Sequence, residues 1–143
     1  MLFKRVSRTE AEKVFMVAKN VSGSTATAGY ALVFDVGASV DGVRVTQASS
    51  TDLQAFAGIA DSDIANNDYG LLQVYGYRSS VRIYASTGSS VAGDNLNVVA
   101  AQWGLTPATV LGTSKAFGFL CEAVAASSSS QYLTTAKAFI RAL

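Results

Sequence analysis

Apolar residues recur in short runs broken by turn residues about every 8 to 12 positions, the spacing of a β-sandwich or barrel rather than of βαβ units. Residues 14–19 (VFMVAK) predict a first strand and 30–36 (YALVFDV) a second. Asp41-Gly42 is a hairpin signal, after which Val43, Val45 and Gln47 alternate with Arg44 and Thr46. Further strands are predicted at 55–60, 70–77, 80–85, 95–101, 115–124 and 136–143. In 80–85, Val81, Ile83 and Ala85 alternate with Arg82 and Tyr84, the period of a half-buried strand. Residues 103–113, which hold the single proline, Pro107, read as loop. The serines at 127–130 read as a flexible exposed loop. Thr9 and Glu12 could cap a helix over 9–18. Val14, Phe15, Met16 and Val17 are contiguous, however, which fits a buried strand equally well, and a strand preceded by an arm is the preferred reading. The fold predicted is all-β: a compact β-barrel or sandwich of about eight short antiparallel strands. An N-terminal arm covers 1–12 and a single β domain 13–143.

One phrase recurs. It begins at Thr25 (TATAGYAL), at Asp63 (DIANNDYGL) and at Ser90 (SVAGDNL). Each has a small or apolar residue, then a tight turn with Gly or Asn, then the lead into an apolar strand. Gly and Asn tolerate positive φ there. The phrase marks architecture rather than chemistry.

Length and composition narrow the picture. A chain of 143 residues fits one domain and buries enough surface to need no disulfide or metal. Half the residues are hydrophobic and 15% are charged, against about 25% in an average globular chain. A surface this neutral and small-residued suits close contact with neighbours, although a well-packed β domain has the same composition. The net charge of +1 argues against a nucleic-acid or anionic-membrane partner over the whole surface. Nothing in the chain has the length and apolarity of a membrane span, and the first 20 residues lack the apolar core of a signal peptide. Lys4, Arg5, Arg8 and Lys13 crowd the start. That basic arm has three readings: an inconsequential tail, an arm reaching a neighbouring subunit, or a nucleic-acid contact.

Candidate chemistry is sparse. Without histidine, Ser-His-Asp and Cys-His nucleophile systems and most transition-metal sites are excluded. Cys121, the single cysteine, has no base to activate it and is expected to act as a small core hydrophobe. Asp61, Asp63 and Asp68, with Asn66 and Asn67, could supply oxygens to Ca²⁺ but lack the glycine and terminal glutamate of an EF-hand loop. A turn whose Asp and Asn side chains bond to backbone amides is the preferred reading. No catalytic residue, metal site or cofactor is expected. Tyr69, Tyr75, Tyr77 and Tyr84 cluster in sequence with Arg78 and Arg82, the residue types enriched at protein interfaces. The same residues fit plain packing, or stacking on bases or sugar rings.

Several phrases together resemble small virion structural proteins of tailed bacteriophages, and capsid decoration (cement) proteins above all. They are KVFMVAKNVSGS from Lys13, AGYALVFD from Ala28, DGVRVT from Asp41 and FAGIAD from Phe56. To these are added IANNDYGLLQVYGY from Ile64, VAGDNL from Val91 and AFGFLCEA from Ala116. The resemblance implies a compact β-barrel or β-tulip domain on the outer capsid, assembled in the host cytoplasm, often trimeric, which clamps adjacent major capsid subunits. On that reading Lys4, Arg5, Arg8, Tyr75, Tyr77, Arg78, Arg82 and Tyr84 are the candidate capsid or subunit contacts. A head–tail connector, tail or fibre component is the first alternative, and a carbohydrate-binding adhesion module the second.

Overall fold

The computed structural model describes residues 12–37, 42–85, 89–107, 116–125 and 132–142. Among these every regular element is a strand: β1 Lys13–Asn20, β2 Ala31–Phe34, β3 Arg44–Thr46, β4 Phe56–Ala60, β5 Tyr69–Ala85, β6 Asn95–Val98, β7 Leu105–Pro107, β8 Gly118–Leu120 and β9 Tyr132–Arg141. They form one sheet in the order β1-β3-β2-β4-β5-β7-β6-β8-β9, with β5 also paired to β1 and β9.

The all-β expectation holds, with differences in detail. The sheet is mixed, because β1–β3 and β5–β7 are parallel. The segments at 70–77 and 80–85 form one 17-residue strand, with a register shift at Val74 in its pairing with β1 and a bulge between Arg78 and Val81 in its pairing with β9. A bulge lets a strand change face without ending. Residues 105–107 are strand, not loop, and pair with Leu96, Asn97 and Val98 of β6. Pro107 is the last residue of that strand, where a missing N–H costs least. Strand is also shorter than expected at 95–98 and 118–120. Residues 1–11 of the arm, Asp41 and the serine run lie outside the described residues.

The two extra pairings close the sheet into two circuits that share β5. In the first, β1–β3 is parallel, and β3–β2, β2–β4, β4–β5 and β5–β1 are antiparallel. In the second, β5–β7 is parallel, and β7–β6, β6–β8, β8–β9 and β9–β5 are antiparallel. The connectivity is identical, so the chain is a tandem repeat in which the last strand of unit 1 is the first strand of unit 2.

Register confirms the equivalence residue by residue. Ala31↔Ile59 and Leu32↔Gly58 in unit 1 match Asn95↔Phe119 and Leu96↔Gly118 in unit 2. The reciprocal bridge Ala26↔Ile64 matches Ser90↔Val124. Gly29 N–H bonds to Ala60 O as Gly93 N–H bonds to Leu120 O, and Asp61 N–H to Leu71 O as Cys121 N–H to Lys137 O. The recurring phrase of the sequence is the turn common to both units. Each copy runs from a bridge residue (Ala26, Ile64, Ser90) through a positive-φ residue (Gly29, Asn67, Gly93) to the first residue of a strand. In each copy the residue after the positive-φ position donates its N–H to the carbonyl three back, closing a turn.

Each unit has its own apolar centre. Ala18, Leu32, Val45, Ala57, Ala60, Ile64 and Leu72 pack in unit 1. Unit 2 is built around Val81, Ile83, Leu96, Leu105, Leu120, Ala138 and Ile140, joined by Ala31, Val33, Phe56 and Ile59 from the outside of unit 1. Strand β4 therefore serves both centres and is buried at all five residues. Glycine is required at the matching positions 58 and 118, where a Cβ would run into the backbone oxygen of Gln73 or Phe139 on the next strand.

Candidate interaction face

Side chains at 69 and 71 of β5 point away from the unit 1 centre, since Leu72 beside them faces inward. Strand β1 runs antiparallel beside them, with Val17 opposite Leu71, Lys19 opposite Tyr69 and Phe15 opposite Gln73, and the register shifts before Val14 meets Tyr75. The ribbon thus presents Val17 (58% exposed), Tyr69 (64%), Leu71 (44%) and Phe15 (40%) on one face. These are four of the eight large apolar side chains exposed among the described residues; Val36, Tyr75, Val91 and Leu133 lie elsewhere.

The apolar run of β1 is accordingly not a strand buried on both faces, as its sequence suggested. One face packs through Met16 and Ala18, and the other is open. Among the described residues, β1 meets β3 only through Lys19 and Asn20. At that end Lys19, Val21, Val43, Arg44, Asn67 and Tyr69 line a groove of about 390 Å³. The Lys19 ammonium lies 5.8 Å from the centre of the Tyr69 ring, within cation–π range.

The sequence-predicted contact residues distribute unevenly. Lys4, Arg5 and Arg8 lie outside the described residues. Tyr75 lies beyond the register shift, is exposed, and meets Phe139 edge-on at 5.1 Å, and Phe139 stacks on Phe119 at 5.3 Å. Tyr77 is half-buried opposite Phe139, and Tyr84 is half-buried opposite Leu133. Arg82 is half-buried opposite Thr135, and its N–H bonds to Gly29 O. Arg78 is turned out of this row by the bulge. Its guanidinium donates to Asp61 Oδ1 (2.8 Å), to the carbonyls of Ala60 (3.0 Å), Asp61 (3.2 Å) and Ser80 (3.0 Å), and to Gln73 Oε1 (3.4 Å). Buried Gln73 in turn donates to the carbonyls of Tyr75, Gly76 and Tyr77. Arg78 and Gln73 are thus committed to holding β5 where it passes from one unit to the other.

Phe15, Val17 and Leu71 were absent from the predicted contacts, and Tyr69 belonged to the tyrosine cluster but not to the contact set drawn from it. Their signal was present, since both 14–17 and 70–77 carry more apolar residues than a one-faced strand needs. Only the pairing of β1 with β5 brings the two excesses together.

Other candidate chemistry resolves into structure. Asp63 Oδ1 accepts the Ala28 N–H (2.8 Å) and Asn66 Oδ1 the Gly23 N–H (2.9 Å), so the acidic loop is tied to backbone amides, though distant ones. Among the described residues no group of three His, Cys, Asp or Glu side chains could hold a metal ion. Cys121 is half-buried rather than in the core, and burial, with help from the Glu122 carboxylate, raises its pKa.

No protein-family model matches the chain. No curated protein matches it either. Among solved structures, the N base of the head fiber gp8.5 of bacteriophage phi29 is similar, with a TM-score of 0.54 at 17% identity. The match covers 92% of this chain and 96% of that one. Over nearly its whole length, then, the chain has the fold of a phage head fiber base.

Proposed function

We propose that this protein is a virion structural protein of a tailed bacteriophage, seated on the outer surface of the head as a homo-oligomer, with a trimer favoured. There it stabilises contacts between major capsid subunits. The observation that carries this reading is the near-complete correspondence, in both chains, with a head fiber base. It is supported by a surface with few charges and a contiguous apolar face of the size that is often functional on a monomer. The role is mechanical: many weak contacts repeated over a lattice hold better than any single one. It calls on no catalytic group, cofactor or nucleic acid.

The same neighbour favours a second reading, in which the chain is the base of a head fiber and carries further structure outward. Cryo-electron microscopy of particles from the source phage separates the two. Density for a 14.9 kDa domain bridging major capsid subunits and ending at its own surface supports the decoration role. The same domain at the root of a projecting fibre supports the second reading. Density confined to the tail, or none on the particle, rejects both.

A further inference from the structure

The tandem repeat contains its own control for the apolar face. With Ile59, Ala60 and Asp61 equivalent to Phe119, Leu120 and Cys121, strand register makes Leu71 equivalent to Lys137 and Tyr69 to Thr135. Pairing of β1 with β5 and of β5 with β9 then makes Val17 equivalent to the bulged Ser79-Ser80 and Lys19 to Arg82. All of Ser79, Ser80, Thr135 and Lys137 are exposed. The fold therefore accepts Ser, Thr and Lys at these positions, and unit 2 uses them as an ordinary water-facing surface. Unit 1 has Val, Tyr and Leu at the same places. Nothing in the fold asks for apolar residues there, so their presence is a property of what unit 1 meets.

We infer that the face formed by Phe15, Val17, Tyr69 and Leu71 is the surface by which each copy docks onto the head, an inference that rests on the function proposed above. Its size chooses the lattice over a second copy of this chain. The exposed apolar area is on the order of 400 Å², short of the roughly 800 Å² per partner of a stable standard-size interface. A contact of that size is weak singly and becomes useful when many copies attach to one shell. Register also places the cation Lys19 opposite Tyr69 at one end of the patch. A partner with an apolar centre and a carboxylate at that end of its rim meets both features.

The test transplants unit 2 residues into unit 1. Heads of the source phage, freed of this protein, are co-sedimented with wild type, with Val17→Ser/Leu71→Lys, and with a control, Val91→Ser/Leu133→Thr, that removes exposed apolar residues elsewhere. The transplant is expected to weaken binding at least about tenfold, with the control unchanged. Equal binding by wild type and transplant overturns the inference. Failure of wild type to bind heads overturns the proposed function instead. Loss of wild-type self-association in the transplant, read by analytical ultracentrifugation, overturns it in favour of a contact between copies. If the transplant melts early, hydrogen exchange on head-bound wild type decides: protection at 14–19 and 69–75 supports the docking face, and unchanged exchange there overturns it.

Discussion

At the residue scale, conformational and electrostatic demands can be read from single positions. Asn67 occupies the turn position held by glycine in the two other copies, at φ 68. Asn67→Gly should leave stability within a few tenths of a kcal/mol, whereas Asn67→Ala should cost about 1 kcal/mol for forcing a Cβ into the left-handed region. Denaturant midpoints of the two variants check this. Glu122 Oε1 accepts the Lys137 N–H at 2.7 Å, and Oε2 lies 3.1 Å from its Nζ. The backbone bond is the main reason that Glu122 is held below the ordinary 4.5, with the side-chain contact next, and Lys137 is raised in return by the same carboxylate. A lowered carboxylate pKa stabilises the fold above its unfolded value and loses that contribution as pH falls through the folded value. The raised Lys137 contributes below its ordinary 10.5 and loses this on the alkaline side. A carbon-detected NMR titration should place the Glu122 carboxyl below 4.5. Lys137→Met should recover only part of the shift, since the backbone donor remains. A full return would show that the side chain, not the amide, dominates.

At the element scale, the two units solve one packing problem with exchanged sizes. Ala60 lies opposite Leu72 in unit 1, and Leu120 opposite Ala138 in unit 2. Each cross-strand pair places one large and one small side chain in its centre, so volume is conserved while the strands trade roles. Leu72→Ala should destabilise by roughly 2–5 kcal/mol, as core truncations do. Ala60→Leu added to it should recover much of that loss, because unit 2 already accommodates the reversed order. Chemical denaturation of the single and double variants measures the coupling, and additive losses would contradict it. Strand β5 raises the other question at this scale, since its two halves were legible as separate strands. The reading separated them at Arg78 and the serines, where periodicity breaks. That break is a bulge, held by Arg78 and Gln73, and a bulge has the same local signature as a turn.

At the scale of the whole molecule, the shared strand and the doubly buried β4 leave no plane along which the units could part. Tyr30 of unit 1 stacks on Trp103 of unit 2 at 5.1 Å, and Ala31 N–H bonds to Trp103 O. Unfolding should therefore be a single transition, with Trp103 fluorescence and far-UV circular dichroism coinciding. Two separated transitions would mean that the units fold independently. The repeat also offers an internal comparison, since unit 1 places Val17, Tyr69 and Leu71 where unit 2 has serine, threonine and lysine.

Alternation, turn residues and the absence of histidine determined, from sequence alone, an all-β chain without the residues of common catalytic triads. They located most strands and the turn phrase that both units use. Those signals are local, set by side-chain period and by which residues tolerate positive φ. The tertiary structure decided what depends on distant partners. Parallel seams, the strand at Leu105–Pro107, the two circuits on β5 and the loss of Arg78 to an internal network all arise from pairings across many residues. The exposed apolar face of β1 and β5 belongs with these. An apolar run reads the same whether it is buried twice or open once, and only the strand laid beside it settles which.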